Sequence, residues 1–140
     1  MKALYELIIG RLKLVPEIKW VDKKNGQQDS SLSYPGVLIS FASTNKDITE
    51  SGDQEQDITV TLTAVFDGTG LRSSSNVSAA TFDRALDYER ICDDIYKKLQ
   101  GYSTSDFEAF SCKSIGDDTR TDGYISKTMI FQTSGYYYIE

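Results

Sequence analysis

Histidine is missing from this chain of 140 residues. Its absence removes Ser-His-Asp and Cys-His catalysis, histidine-ligated zinc and the usual charge switch near neutral pH. A surplus of positive charge is missing too, since 15 Lys and Arg face 21 Asp and Glu for a net of −6. That balance argues against broad electrostatic adhesion to nucleic acid, which needs Lys and Arg to neutralise phosphates. The two cysteines permit one bridge and no framework. Cys92 falls in a predicted helix and Cys112 in a predicted strand, on positions that read as buried, so reduced core thiols are expected. No apolar run approaches the roughly 20 residues that a membrane-spanning helix needs. The opening MKALYELIIGRLKLVPEIKW breaks its apolar run with Glu6, Arg11 and Lys13, unlike a signal peptide, so synthesis and folding in a cytoplasm are expected.

What is present suffices for one core. Hydrophobic residues make up 39% of the chain and charged residues 26%, the balance of an ordinary globular domain. Leu4, Leu7, Ile8, Leu12 and Val15 fall on one face at helical spacing, and Pro16 ends that helix. A short strand is predicted over Glu17 to Asp22, followed by an exposed turn at Asn25-Gly26. GVLISFAS from Gly36 and DITVTLTAVF from Asp57 predict two stronger strands. In the second, Ile58, Val60, Leu62, Ala64 and Phe66 alternate with Thr59, Thr61 and Thr63, the pattern of a sheet buried on one face.

Residues 43–57, between these strands, are polar apart from Ile48 and predict an exposed loop, as do residues 67–80 beyond them. A second helix is predicted from Thr81 as N-cap to the turn before Gly101, with Phe82, Ala85, Leu86, Glu89, Cys92, Ile95, Tyr96 and Leu99 as its stripe. FEAFSCKSI and YISKTMIFQTSGYYYIE then read as a hairpin, with a bulge at Gly135. The order predicts a single α+β domain over residues 1–140. Its expected form is a mainly antiparallel mixed sheet of four to five strands with two helices packed on one face.

Candidate chemistry is sparse. Asp117, Asp118 and Asp122 near Gly123 lack the alternating ligand spacing and final glutamate of a helix-loop-helix calcium site, and Asp with Gly is ordinary turn chemistry. Glu17-x-Lys19 matches half of a metal-dependent nuclease signature, but no aspartate precedes residue 22 to supply the other half. GTG at 68–70 lacks the continuation of a phosphate-binding loop. No catalytic residue, cofactor-binding residue or metal ligand is therefore assigned, and no enzyme is expected, although acid–base work by an Asp or Glu pair stays open. Two features fit an interaction surface. Residues 43–57 carry Lys46 against Asp47, Glu50, Asp53, Glu55 and Asp57, a net of −4. They read either as a solvated loop or as an arm whose charge meets a specific surface. Tyr136, Tyr137 and Tyr138 cannot all point inward, so they serve either an interface or packing at the domain's edge.

The element order and four stretches of text resemble the tail terminator, or tail completion, proteins of long-tailed bacteriophages. The stretches are the helix LYELIIGRLKLVPEI, the strand YPGVLISF, the strand DITVTLTAVFD, and RTDGYISKTMIFQ in the last hairpin. The resemblance covers nearly the whole chain as a pattern without a diagnostic motif. It implies an assembly role without chemistry: a homo-oligomeric ring, typically hexameric, that caps the tail tube, stops its polymerisation and joins it to the head connector. The implied partners are the tail tube protein and the head connector protein, with DNA passing through unbound and no membrane. The implied location is the host cytoplasm during assembly and then the virion tail. On this reading Asp47, Glu50, Asp53 and Glu55 would share one exposed surface, and Tyr136 to Tyr138 would serve subunit contacts. Another head–tail joining component, or a small bacterial protein-binding module, fits the same residues.

Overall fold

Alternation along the central strand sets the architecture. In the computed structural model, which describes residues 1–24, 33–68, 75–119 and 122–137, β3 (Gln54–Asp67) buries Ile58, Val60, Leu62, Ala64 and Phe66. Around it stand β1 (Trp20–Lys23), β2 (Gly36–Asp47), β4 (Ser111–Asp117) and β5 (Tyr124–Tyr137), in the order β1-β2-β3-β5-β4. Only β1 and β2 pair in parallel; every other neighbour is antiparallel. The helices α1 (Lys2–Leu12), α2 (Ala79–Ala85) and α3 (Asp87–Leu99) complete the chain. Leu4, Ile8 and Leu12 of α1 and Ile91, Cys92, Ile95 and Leu99 of α3 close one core with the apolar face of β2, β3 and β5. The result is the expected α+β fold, with a mixed sheet of five strands and three helices instead of two.

The extra helix has a local cause. Ser78, not Thr81, caps α2: its hydroxyl accepts the Thr81 N–H at 3.3 Å, which places Thr81 inside the helix. The chain leaves helical angles at Leu86, and Asp87 and Glu89 then open α3 where acidic side chains favour a helix start. Helix α1 stops at Leu12, and Val15 is buried from the turn that follows.

The largest departure concerns residues 43–57, which are not a loop. Strand β2 continues through Asp47 and β3 begins at Gln54, paired residue by residue from Gly36↔Val65 to Asp47↔Gln54. Main-chain pairing is indifferent to side-chain polarity, so a hairpin that carries polar side chains on both faces leaves no apolar alternation to read. The turn is closed by Ile48 N–H on Asp53 O (2.9 Å), by Thr49 Oγ1 accepting Asp53 N–H, and by Gly52 at φ 103°. The other expected loop survives in part: Asp67 ends β3 and Ala79 begins α2, while residues 69–74 lie outside the described residues. So does the expected turn at Asn25-Gly26.

The bulge falls on the other strand of the last hairpin. Pairing of β3 with β5 runs unbroken through Gly135, whereas β4 slips between Cys112 and Ser114. Gly135 serves a close approach instead, because a Cβ there would sit 2.8 Å from the Phe107 ring. Strand β4 starts at Ser111, later than its text implied, and Phe107 makes an isolated bridge to Gly135.

Candidate functional site

Among the described residues the helices cover one face of the sheet, and its far end continues past that cover as three paired strands, β2, β3 and β5. Across that end run the rows Lys46, Glu55, Tyr136 and then Asp47, Gln54, Tyr137. Pleating sends successive residues to opposite faces. Glu55 therefore shares the helix-free face with Lys46 and Tyr136, whereas Asp47 and Gln54 stand on the face that carries the core further down. Gln54 Nε2 donates to Asp47 Oδ1 at 2.8 Å. Glu50 and Asp53 belong to the turn. All four acidic candidates gather at one hairpin tip, but Asp47 and Glu55 part to opposite faces and do not form one surface. Tyr136 is 46% exposed, Tyr137 pairs through its backbone with Gln54, and Tyr138 lies outside the described residues.

Below that end on the helix-free face lies a groove of ≈ 530 Å³, lined among others by Thr44, Asp57, Thr59, Glu108, Lys113 and Ser134. Ser134 Oγ donates to Asp57 Oδ1 at 2.8 Å, joining β5 to β3. Hydroxyls share the lining with Asp57, Glu108 and Lys113, a set that suits polar contact with a surface. At the base of the same face Trp20 meets Tyr34 edge-on and Tyr34 lies tilted against Tyr124, with centroids 5.9 and 4.9 Å apart. Gly36 lies directly beneath the Trp20 ring. That cluster was invisible in the sequence, where the three aromatics are separated by turns and by half the chain.

The titratable groups with shifted pKa values lie on the covered face. Lys127 points toward α3 and pairs with Glu89 and, at 3.8 Å, with Asp117. Burial pulls its pKa down, but the bond and charge of Glu89 and the charge of Asp117 outweigh it, for a net rise. Tyr88 is raised chiefly by burial and then by the Glu89 charge. Burial pushes the Cys92 thiol up to about 12, and both cysteines are free. Glu17 is committed to Arg90 at 3.1 Å, and Arg90 also holds Asp87 and Asp94. The glutamate of the half-signature Glu17-x-Lys19 thus belongs to an ion-pair network with α3. Asp118 accepts Ser126 and Thr128 hydroxyls, and Asp122 accepts the Tyr124 N–H, so these aspartates hold the hairpin's end together. Among the described residues no three Cys, Asp or Glu side chains stand where they could hold a metal ion. No described helix is long and apolar enough to cross a membrane.

No protein-family model matches the chain, and no curated protein matches it. Among solved structures it is similar to a chain from the virion of a native gene transfer agent particle. The identity is 9%, the TM-score is 0.58, and the match covers 93% of this chain and 92% of that one. The two chains share a fold.

Proposed function

We propose that this chain is a structural protein of a phage-like particle and that it works as a tail terminator. On this reading it forms a ring that caps the tail tube, stops its growth and meets the head connector while DNA passes through. The observation that carries the virion role is the end-to-end likeness to a chain of a gene transfer agent virion. The finer role rests on the resemblance of the opening helix, the two long strands and the last hairpin to tail terminators. No catalytic step is assigned: in the exposed groove the Asp57 carboxylate accepts the Ser134 hydroxyl, a structural hydrogen bond between two strands. The two-faced acidic tip fits a ring's rim, where it meets another protein, better than a uniformly acidic lumen.

Immunogold labelling of particles from the producing cell, with antibody to this chain, tests the proposal. Label at the head–tail junction is the expected result. Label elsewhere on the particle would retain a structural role and remove the terminator role. Particles without label would remove both.

A further inference from the structure

Among the described residues the sheet leaves two stretches of edge unpaired, one on β2 and one on β4. On one side β1 covers β2 only from Gly36 to Ile39. Lys19 N–H donates to Pro35 O and Lys24 N–H to Ile39 O, so odd-numbered residues of β2 turn their main-chain groups away from β3. Beyond Ile39, the outward groups of Ser43, Asn45 and Asp47 meet no strand among the described residues. On the other side, Asp118 N–H donates to Ser126 O. Even-numbered residues after the β4 bulge therefore face β5, and Ile115 and Asp117 face outward. Ile115 is 44% exposed, an apolar side chain on a bare strand edge. Bare edges of this kind are templates for pairing with another chain.

We infer that copies of this chain join by antiparallel pairing of the outer edge of β2, residues 43–47, with β4 of the next copy. This inference rests on the ring reading above and names the surfaces that would close the ring. Because β2 and β4 run in opposite directions at opposite ends of the sheet, an unflipped neighbour presents its β4 antiparallel to β2, the more stable pairing. Chirality then forces the helices of both copies onto the same side. The register that keeps the faces matched sets Ile115 against Asn45 and Asp117 against Ser43, all four on the face that carries the helices.

Two further consequences favour closure over an endless ribbon. Within one copy Asp117 lies level with Val37, through Lys127 and Ala64. Pairing with Ser43 thus shifts each neighbour by six residues along the strands, a shift that β1 enforces by occupying the lower edge. Six residues over the four strands β2, β3, β5 and β4 correspond to a tilt of about 45°, at ~3.3 Å per residue and ~4.8 Å per strand. That is the upper end of the tilt of closed barrels. Among the described residues the helix layer lies on one face, so it spreads neighbours apart on that side and curves the joined sheet the other way. The helix-free face, with Ser40, Thr59, Thr61 and Thr128, then lines the lumen.

The test uses a double variant, Asn45→Cys with Ile115→Cys, in a Cys112→Ala background, together with the single variant Ser43→Pro. Proline at Ser43 removes an outward N–H and leaves the β2–β3 bonds intact, so the monomer keeps its fold, checked by circular dichroism. Oxidising the double variant at millimolar concentration, alone and with tail tubes of the same particle, is expected to give a ladder of covalent multimers. Adding Ser43→Pro is expected to reduce the ladder at least tenfold. If sedimentation shows self-association that survives Ser43→Pro while the double variant stays uncross-linked, the edge pairing is overturned and the ring reading stands. Cross-links only to tube subunits overturn the pairing as well. Absence of self-association in the unaltered protein under both conditions overturns the ring reading, and the pairing with it.

Discussion

Replacing Gly36 by alanine should destabilise the protein through a single ring. An added Cβ would lie 2.1, 2.2 and 2.5 Å from three atoms of the Trp20 indole. Ordinary carbon contacts begin near 3.5 Å, so the ring must withdraw by roughly 1.5 Å. It is held on its other sides by an edge contact with Tyr34 and by the hydrogen bond from Nε1 to Ser33 O. A half-buried tryptophan displaced toward solvent re-exposes about 80 Å² of apolar surface, about 2 kcal/mol at ~25 cal/mol per Å². That lies within the roughly 1–3 kcal/mol expected of overpacking. For a chain of this length the melting temperature should fall by about 5–8 °C. Trp20 is the only tryptophan, so its fluorescence reports the event directly during urea unfolding. The folded variant should emit at longer wavelength than the parent.

Gly10→Ala provides the control with the opposite sign. Gly10 lies within α1, and nothing stands within 4 Å of its added Cβ. The same methyl group there should stabilise by about 0.5–1 kcal/mol, through reduced backbone entropy of the unfolded chain. If Gly36→Ala keeps the parent's urea midpoint and emission maximum, the close packing of Trp20 on β2 is wrong. If both variants shift in the same direction, the assay is reading something other than local space.

Three other perturbations follow from the covered face and the helix cap. Glu89→Ala should cost about 2–3 kcal/mol because it strands the half-buried Lys127 ammonium, whereas Lys127→Met should be close to neutral; equal losses in urea titrations would refute the pairing argument. Cys92, Tyr88 and Lys127 all have raised pKa values in the folded state, so each contributes stability that is complete below its unfolded pKa and lost as pH rises toward the folded one. The urea midpoint should therefore fall from about pH 9 upward, given unfolded thiols near 8.5. It should fall less steeply in Cys92→Ala, and a midpoint level to pH 11 would contradict the burial of that thiol. Ser78→Ala should cost about 1 kcal/mol by uncapping α2, seen as faster amide exchange at Thr81 with little change in β3.

How much was legible depended on whether a segment has one dry face. The alternation from Ile58 to Phe66, the stripe Leu4, Ile8, Leu12 and the stripe Cys92, Ile95, Leu99 each report burial on one side, and each element stands where its text placed it. The distal hairpin reports nothing, because both of its faces carry polar side chains and its strands are held by main-chain bonds that every residue can make. Gly135 illustrates a subtler failure. A glycine in a strand announces that something needs the space of a Cβ, but not whether a bulge or the Phe107 ring takes it.

Composition and order alone determined the absence of histidine chemistry, the acidic balance, the α+β class and the position of the core strands, since these are properties of residue type and of local period. Tertiary structure decided where polar residues stand relative to one another. It separated Asp47 from Glu55 by the pleat of a hairpin, committed Glu17 to Arg90, and brought Glu89 to Lys127 across 38 positions. Among the described residues it also left the far part of β2 and the outer side of β4 unpaired, on opposite sides of one sheet. Which edge stays unpaired is fixed by the order in which strands meet, and strand order is a contact between distant segments that no local pattern encodes.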